Sequence, residues 1–324
     1  MAPGRIDSVG EVSDSQKPTV YLLDEFHPVA NEHARTIFDA VFPNDPRYEN
    51  WRGKAEYLLI KGSTLTAEDV KSCLKLKALG KQGVGIDKID AEACKERDIK
   101  IFNTPGVNAQ TVAETVLTLT MAVAREVGRV TAIQSRGDVI PKSKCSGLII
   151  SEKSIGIVGM GNIGQRVAKI FQGGLGCNII AYDPFLPKDA WADISHQRGE
   201  TLEDLLKVSD VVTLHVPLIP QTQGLISYPE LSIMKSNAIV INTARGGIIN
   251  EEDLERGLKD GLIWGAGLDC HEQEPPTKER YGGLWDIGRV VSTPHVGAAT
   301  SQTQMETAMA AMDCLLDYIR TTTN

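Results

Sequence analysis

No run in this 324-residue sequence approaches eighteen uninterrupted apolar residues, so no obvious membrane-spanning helix is encoded. Residues 1–17 are polar and acidic where a signal peptide would need an apolar centre. A cytosolic location is therefore expected, with that segment read as a disordered extension. Positive charge is in deficit: 34 Lys and Arg against 42 Asp and Glu give a net charge of −8. Such a balance carries no broad electrostatic footprint for nucleic acid or an anionic membrane. The six cysteines, at 73, 94, 145, 177, 270 and 314, form no CxxC and show no metal-ligand spacing with histidines. They read as reduced, mostly buried small hydrophobes, and no metal is expected. Internal repeats and low-complexity tracts are also missing.

What is present suffices for two domains, each able to bury its own core. Short apolar runs at 20–23, 57–60, 76–79 and 99–102 read as strands, with helices expected over 31–41, 67–73 and 89–96. Residues 18 to about 105 thus read as a small parallel-sheet domain. The turn Asn103-Thr104-Pro105-Gly106 precedes a long helical pattern carrying Val112, Val116, Leu119, Val123 and Val127, which could bridge two domains. A second α/β unit runs from Ser154 to about Thr293, with strands expected at 155–158, 177–182, 211–214, 238–241, 264–268 and 290–292. Its alternation predicts a doubly wound fold. A last helix near 301–320 spaces Met305, Ala308, Met309, Met312, Leu315, Leu316 and Ile319 for core packing, without showing which domain receives it.

The most specific motif is Gly159-Met160-Gly161-Asn162-Ile163-Gly164, a GxGxxG between the strand at 155–158 and a helix expected over 165–171. Gly159 allows the tight turn, Gly161 lets the backbone approach a pyrophosphate, and Gly164 permits close helix–strand packing. The helix N-terminus adds N–H groups and a positive dipole for phosphates. Such spacing also arises in ordinary nucleotide-free turns; here the next strand supplies context by ending at Asp183, nineteen residues after Gly164. A carboxylate there can accept both ribose hydroxyls of adenosine and repels a 2′-phosphate. Pro184-Phe185-Leu186-Pro187 follow, so nothing nearby in sequence invites NADP, and NAD is the expected cofactor.

In open α/β sheets ligands bind beyond the carboxyl ends of the strands. Arg245 stands at one such exit, in Asn242-Thr243-Ala244-Arg245-Gly246-Gly247, with a planar fork matched to a carboxylate; a surface salt bridge is the plain alternative. Asp269 ends another strand, Glu274 follows in its loop, and His295 follows Val290-Val291-Ser292-Thr293-Pro294. A histidine beside a carboxylate at a nicotinamide site can deliver or accept the proton that accompanies hydride transfer, and the carboxylate favours the imidazolium. Strand order alone does not prove that Glu274 and His295 touch. His215 has no evident carboxylate partner and reads as structural or as lining the cofactor cleft. His27, His33, His196 and His271 have no pattern around them and are expected to be solvated or capping.

Together these residues resemble the D-2-hydroxyacid dehydrogenase family, which includes phosphoglycerate, glyoxylate/hydroxypyruvate and D-lactate dehydrogenases. The resemblance covers residues 57 to about 312. It rests on Gly83-Val84-Gly85-Ile86-Asp87, Asn103-Thr104-Pro105-Gly106, Val112-Ala113-Glu114, the glycine motif, Asn242-Thr243-Ala244-Arg245-Gly246, Asp269 with Glu274-Pro275, and Thr293-Pro294-His295. It implies an α/β architecture of two doubly wound parallel-sheet domains. A Rossmann cofactor domain, 107–296, would be inserted into a flavodoxin-like substrate domain made of 1–106 and 297–324.

The activity implied is NAD-dependent interconversion of a small 2-oxo acid and its D-2-hydroxy acid, in a cleft between the domains of a homodimer joined through the cofactor domain. Arg245 would bind the substrate's carboxylate and carbonyl, His295 would be the acid/base, and Glu274 would orient and charge it. Backbone N–H groups near Val84 and Gly85 would hold the carboxylate, and Asp269 would contact the nicotinamide amide. Gly159, Gly161, Asn162, Ile163, Gly164, Asp183 and His215 complete the expected cofactor site.

Departures are informative. The family usually has an aromatic residue after the bridging helix and a Gly-Lys pair before the glycine strand; here Gln134-Ser135-Arg136-Gly137 and Glu152-Lys153 stand there, which touches the dimer arm rather than the chemistry. The appended regulatory domains of many phosphoglycerate dehydrogenases are expected to be absent beyond Asn324. Formate dehydrogenases carry glutamine in place of Glu274, which argues against formate. Lys61 and Gly62, in Lys61-Gly62-Ser63-Thr64, take the substrate-facing position, and Lys61 could meet a second anion. Phosphoglycerate dehydrogenases usually carry arginine there, a stronger phosphate clamp. A compact acid such as glyoxylate, hydroxypyruvate or a short branched-chain 2-oxo acid is therefore favoured over 3-phosphohydroxypyruvate. NADH-sensing transcriptional corepressors also resemble the family, and that role would need an exposed peptide-docking surface that the sequence does not reveal.

Overall fold

The computed structural model describes residues 17–187 and 189–323, so the extension expected over 1–17 lies outside the described residues apart from Lys17. The chain divides into two units, one holding the chain up to Asn108 together with Ala299 onward, the other Ala109–Ala298. In the first, strands β1 (Thr19–Leu22), β2 (Asp39–Val41), β3 (Tyr57–Ile60), β4 (Ala78–Lys81) and β5 (Lys100–Phe102) alternate with helices α1 (Pro28–Ile37), α2 (Trp51–Lys54), α3 (Ala67–Ser72) and α4 (Ala91–Glu96). The sheet is parallel throughout, in the order β2-β1-β3-β4-β5. Both faces of β3 and β4 are buried, which is why β3 reads as a continuous apolar run rather than an alternating one.

Two local differences from the sequence reading have clear causes. The spacing over 31–41 predicts one helix, but Phe38 is extended (φ −127°, ψ 155°), ends α1 at Ile37, and lets Asp39–Val41 pair with β1 as an edge strand. Three residues are too few to show a period of two. The strand expected at 76–79 lies at Ala78–Lys81, because Lys81 is buried and spends its ammonium on the carbonyls of Lys61 (2.7 Å) and Gln82 (2.6 Å).

The second unit comprises α5 (Ala109–Ala124), α6 (Val127–Ser135), β6 (Ser154–Val158), α7 (Asn162–Leu175), β7 (Asn178–Tyr182), β8 (Gln197–Arg198), α8 (Leu202–Val208), β9 (Val211–Leu214), α9 (Tyr228–Ile233), β10 (Ile239–Asn242), α10 (Glu251–Lys259), β11 (Gly265–Leu268), α11 (Lys278–Asp286) and β12 (Val290–Ser292). Its parallel sheet runs β12-β11-β10-β9-β6-β7-β8, so the strand order reverses between β6 and β9. One face packs Leu119, Ile157 and Phe171, contributed by α5, β6 and α7; the other packs Leu206, Leu231, Leu254 and Leu284, contributed by α8, α9, α10 and α11.

The stripe from Val112 to Val127 predicts a single helix, yet Glu126 turns left-handed (φ 53°) and splits it into α5 and α6. The Glu126 carboxylate instead receives Arg129 (2.9 Å) and the N–H of Ser146 (3.2 Å). Strand β8 escapes sequence reading because it is two polar residues long.

The final helix, α12 (Ser301–Thr323), belongs to the first unit, where Ala308, Met312, Leu315 and Ile319 join Leu22, Ala34 and Leu59 in one core. It lies so close to β4 that a Cβ on Gly80 would fall 2.8 Å from the Ala311 carbonyl oxygen. Among the described residues no helix is long and apolar enough to cross a membrane.

Candidate active site

At the reversal point, β6 ends and the chain turns through Gly159, whose φ of +98° lies in the left-handed region. A Cβ there would sit 2.4 Å from the His215 carbonyl oxygen, and one on Gly164 would sit 2.3 Å from the Gly159 carbonyl oxygen. Gly161 is different: nothing lies within 4 Å of its Cβ position. It is also the N-cap of α7, with no side-chain cap on the first turn formed by Asn162, Ile163 and Gly164. An open approach to uncapped N–H groups fits a pyrophosphate.

Asp183 stands just past β7, held against this turn. Its Oδ2 accepts the Met160 N–H (3.0 Å) and its Oδ1 the Phe185 N–H (3.0 Å), leaving acceptor capacity on both oxygens. A cation absent from the adjacent sequence stands near in space: Arg198, on β8, donates to the carbonyls of Asp183, Leu186 and Pro187. Fifteen residues of separation hide it from local sequence, and its donors are committed to those three carbonyls.

Across the reversal point, His215 follows β9. Its N–H donates to the Val158 carbonyl (2.7 Å) and its Nε2 pairs with the Thr213 hydroxyl (2.9 Å). Nδ1 is buried without a partner among the described residues. Desolvation pushes this imidazole down to about 3, so it is neutral at physiological pH.

The residues following β10, β11 and β12, three adjacent strands, form the second part of the site. His295 follows β12 with φ +57°, and its Nδ1 lies 3.0 and 3.1 Å from the two carboxylate oxygens of Glu274. Strand order leaves this contact open; the structure makes it. Glu274 also receives the His271 N–H at 3.3 Å.

Arg245 follows β10 in a loop braced by Asn242, which donates to the Arg245 carbonyl (2.7 Å) and accepts the Ala244 N–H (3.0 Å). The guanidinium donates to the Ala244 carbonyl at 2.6 Å. Gly246 presses this loop onto the Glu274 loop, since a Cβ there would lie 2.0 Å from the His271 carbonyl oxygen. Cys270 bridges the same two loops through a hydrogen bond from Sγ to the Ala244 carbonyl (3.4 Å), and burial pushes its thiol far up.

Asp269 is buried at the end of β11 and organises the His295 loop. Its carboxylate accepts the Thr293 hydroxyl (2.6 Å) and the N–H groups of Val296 (2.8 Å) and Gly297 (2.8 Å), while its carbonyl accepts the His295 N–H (2.7 Å). The sequence marks Asp269 as a loop carboxylate and, through the family resemblance, as a nicotinamide contact, but not as the brace of this loop, because bonds to backbone groups 27 and 28 residues away leave no local pattern.

His271 was expected to be solvated or capping and is neither: it is buried, pairs with the Ser292 hydroxyl (2.8 Å) and meets Tyr281 edge-on. Burial lowers its pKa. Beneath it Glu251, also buried, accepts the Glu272 N–H (2.9 Å), and burial raises its pKa. His27 does cap α1, and His33 pairs with Asp313 at 2.6 Å.

Lys61, Gly62, Val84 and Gly85 lie in the first unit. There the Asp24 carboxylate accepts the N–H groups of Lys61 (2.6 Å), Gly62 (3.1 Å) and Ser63 (3.0 Å), so these donors are committed within the chain. The Lys61 ammonium donates to the Gln304 side chain (3.1 Å), and Lys88 donates to the Gly62 carbonyl (3.1 Å). Val84 is partly exposed, its carbonyl held by Asn103 at 2.7 Å.

Residues 117–297 match the NAD binding domain of the D-isomer specific 2-hydroxyacid dehydrogenases. The chain is 38% identical over 251 residues to the D-3-phosphoglycerate dehydrogenase of Methanocaldococcus jannaschii, a span covering 77% of this chain and 47% of that protein. It is 39% identical over 252 residues to the hydroxypyruvate reductase of Thermotoga maritima, covering 78% and 80% respectively. The chain thus spans about half the length of the curated phosphoglycerate dehydrogenases it matches. A solved D-2-hydroxyisocaproate dehydrogenase superimposes with a TM-score of 0.79 at 28% identity, over 93% of this chain and 96% of that one. Because the match runs unbroken from within α5 to the His295 loop, and both relatives agree over three quarters of the chain, the chain belongs to the D-isomer specific 2-hydroxyacid dehydrogenase family and its second unit binds NAD.

Proposed function

We propose that the chain is an NAD-dependent oxidoreductase interconverting a small 2-oxo acid and its D-2-hydroxy acid. The observation that carries this reading is the His295–Glu274 pair, 3.0 Å apart, beside the packed Arg245 loop. When bound, NADH supplies the hydride. The chain must supply the proton, and His295 is the group able to do so. With Nδ1 turned to Glu274, the Nε2 edge is left to protonate a carbonyl oxygen or, in the reverse direction, to accept the hydroxyl proton. Glu274 fixes the ring's orientation and tautomer. The planar guanidinium of Arg245 suits the paired oxygens of a 2-oxo acid, and Val84 and Gly85 offer backbone N–H donors of the kind a carboxylate takes.

Among substrates, glyoxylate, hydroxypyruvate and short branched-chain acids are favoured, since Lys61 is a single flexible ammonium already resting on Gln304. A phosphorylated 2-oxo acid is the second reading. It is favoured by the ammonium groups of Lys81 and Lys88, which meet the carbonyls of Lys61 and Gly62 and add positive charge to that loop.

The reading includes a homodimer built through the second unit. Helix α6 buries none of its residues, and Val127, Val139 and Ile149 are exposed along one stretch of chain. Six free cysteines suit a reducing, cytosolic setting.

The test is NADH oxidation with a panel of 2-oxo acids including 3-phosphohydroxypyruvate. His295→Ala is expected to abolish turnover while NADH binding persists, and Glu274→Gln to lower kcat with NADH affinity kept. No NADH oxidation with any member of the panel would overturn the proposal.

A further inference from the structure

We propose that Cys270, Glu274 and His295 form a site for a soft divalent cation, zinc being the natural occupant, and that its occupation silences the acid/base pair. One ligand atom from each of the three residues lies within 4.8 Å of the other two. Cys270 and Glu274 leave the end of β11, and His295 leaves the end of β12, so two adjacent strand exits supply the set.

Thiolate, imidazole and carboxylate are together the donors of tetrahedral zinc, whose bonds of about 2.0–2.3 Å place ligand atoms roughly 3.3–3.8 Å apart. Closing the remaining gap takes a shift of about one ångström to reach that spacing. Glu274 and His295 can provide it, being 38% and 43% exposed, while Cys270 is a fixed floor at 1%. A fourth position stays open to water, as in other three-ligand sites.

The local charge permits a cation. Arg245 opposes it, but the carboxylates of Glu274 and Asp269 outweigh one guanidinium, and the thiol, neutral before binding, adds its charge only on coordination. On binding, Sγ gives its proton to solvent and releases the Ala244 carbonyl. The cation takes the lone pair of a neutral imidazole, any second ring proton passing to solvent, and a Glu274 oxygen, so Glu274 no longer holds the ring. The site stands on geometry alone; only the silencing rests on the function proposed above.

The measurement uses the full chain with the two exposed cysteines replaced, Cys145→Ser and Cys314→Ser. Cadmium is titrated in as a probe, following the ultraviolet thiolate-to-metal absorption. One equivalent should produce the band, zinc should compete it away, and Cys270→Ser should abolish it. In parallel, zinc should inhibit NADH oxidation reversibly on chelation, and Cys270→Val, measured against its own zinc-free rate, should need at least about tenfold more zinc for the same fractional inhibition. A chain that shows no Cys270-dependent band, or equal zinc sensitivity with and without Cys270, would overturn the site. A Cys270-dependent band without inhibition upholds the site and removes instead the acid/base role given to His295.

Discussion

Replacing Asp269 with asparagine should damage catalysis through the backbone, without touching the acid/base pair itself. The carboxylate accepts three hydrogen bonds, from the Thr293 hydroxyl and the N–H groups of Val296 and Gly297. An amide can keep the two acceptors on one oxygen, but it must point an NH₂ at either the Gly297 N–H or the Thr293 and Val296 donors. At least one charge-assisted bond is lost, and bonds to charged groups contribute about 1.5–3 kcal/mol each. His295 sits between these anchors at φ +57°, a conformation its own β-carbon disfavours. Loosening the anchors therefore lets His295 relax away from Glu274. If the lost energy appears wholly as misplacement of the imidazole, kcat should fall about 10- to 150-fold, every 1.4 kcal/mol being a factor of ten. The assay is steady-state reduction of the best 2-oxo acid by NADH, alongside NADH affinity by fluorescence and thermal melting. A fall in kcat with NADH affinity changed by less than about threefold is expected. Retention of near-normal kcat, or a defect confined to NADH binding, would refute the reasoning and leave Asp269 as a cofactor ligand only.

Three further outcomes are expected. Asp183→Ala should narrow the preference for NADH over NADPH in kcat/KM by about tenfold or more, by removing a charge that repels a 2′-phosphate while Arg198 stays in place; an unchanged ratio would mean Asp183 only braces the glycine turn. Arg245→Lys should reduce kcat/KM for the 2-oxo acid by at least about tenfold with little change in NADH affinity, because charge is kept but the two-pronged contact is not; near-normal kinetics would make Arg245 structural. His215 is held down from its ordinary value of 6.5 to about 3, and burial lowers His271 as well. Below pH 6.5 the unfolded chain takes up protons that the folded chain refuses, so stability should fall as pH drops from about 6.5 toward 3, by at most about 1.4 kcal/mol per pH unit for His215, with His271 adding a fall of the same sign. Melting temperatures of His271→Gln between neutral and mildly acid pH should show a shallower acid limb than the unmodified chain; parallel curves would contradict the assignment.

The parts of the site legible in sequence are those where one residue type answers a backbone demand. Gly159 needs a positive φ, Gly161 an open approach and Gly164 close packing, and all three demands fall within six consecutive residues. The continuous apolar runs of β3, β6, β9 and β10 are equally plain, because buried parallel strands have no polar face. What escapes is whatever depends on distant partners. Arg198 reaches the loop after Asp183 from β8, Asp24 collects the N–H groups of residues 61–63, and Asp269 holds a loop 27 residues on. Cys270 is similar: its spacing from Glu274 and His295 matches no metal pattern, yet two neighbouring strand ends deliver all three to one place. Two edge strands are also lost, β2 because the helical spacing over 31–41 runs through it and β8 because it is two polar residues long.

The return of α12 to the first unit bears on the order in which the chain can mature as it is made. Val20, Leu22, Ala34 and Leu59 share their core with Ala308, Met312, Leu315 and Ile319, contributed by a helix that is synthesised only after the whole second unit. Until that helix emerges, the face of the β2-β1-β3-β4-β5 sheet that α1 and α12 share is covered by α1 alone, and Gly80 lacks the α12 backbone against it. The second unit, by contrast, takes every strand of its sheet and both of its apolar clusters from one uninterrupted segment, Ala109–Ala298, and can close first. Nascent chains would therefore carry a finished nucleotide-binding unit flanked by an N-terminal sheet with exposed leucine and valine, a species for which chaperones have affinity. The two-part sequence layout makes the first unit the last to fold.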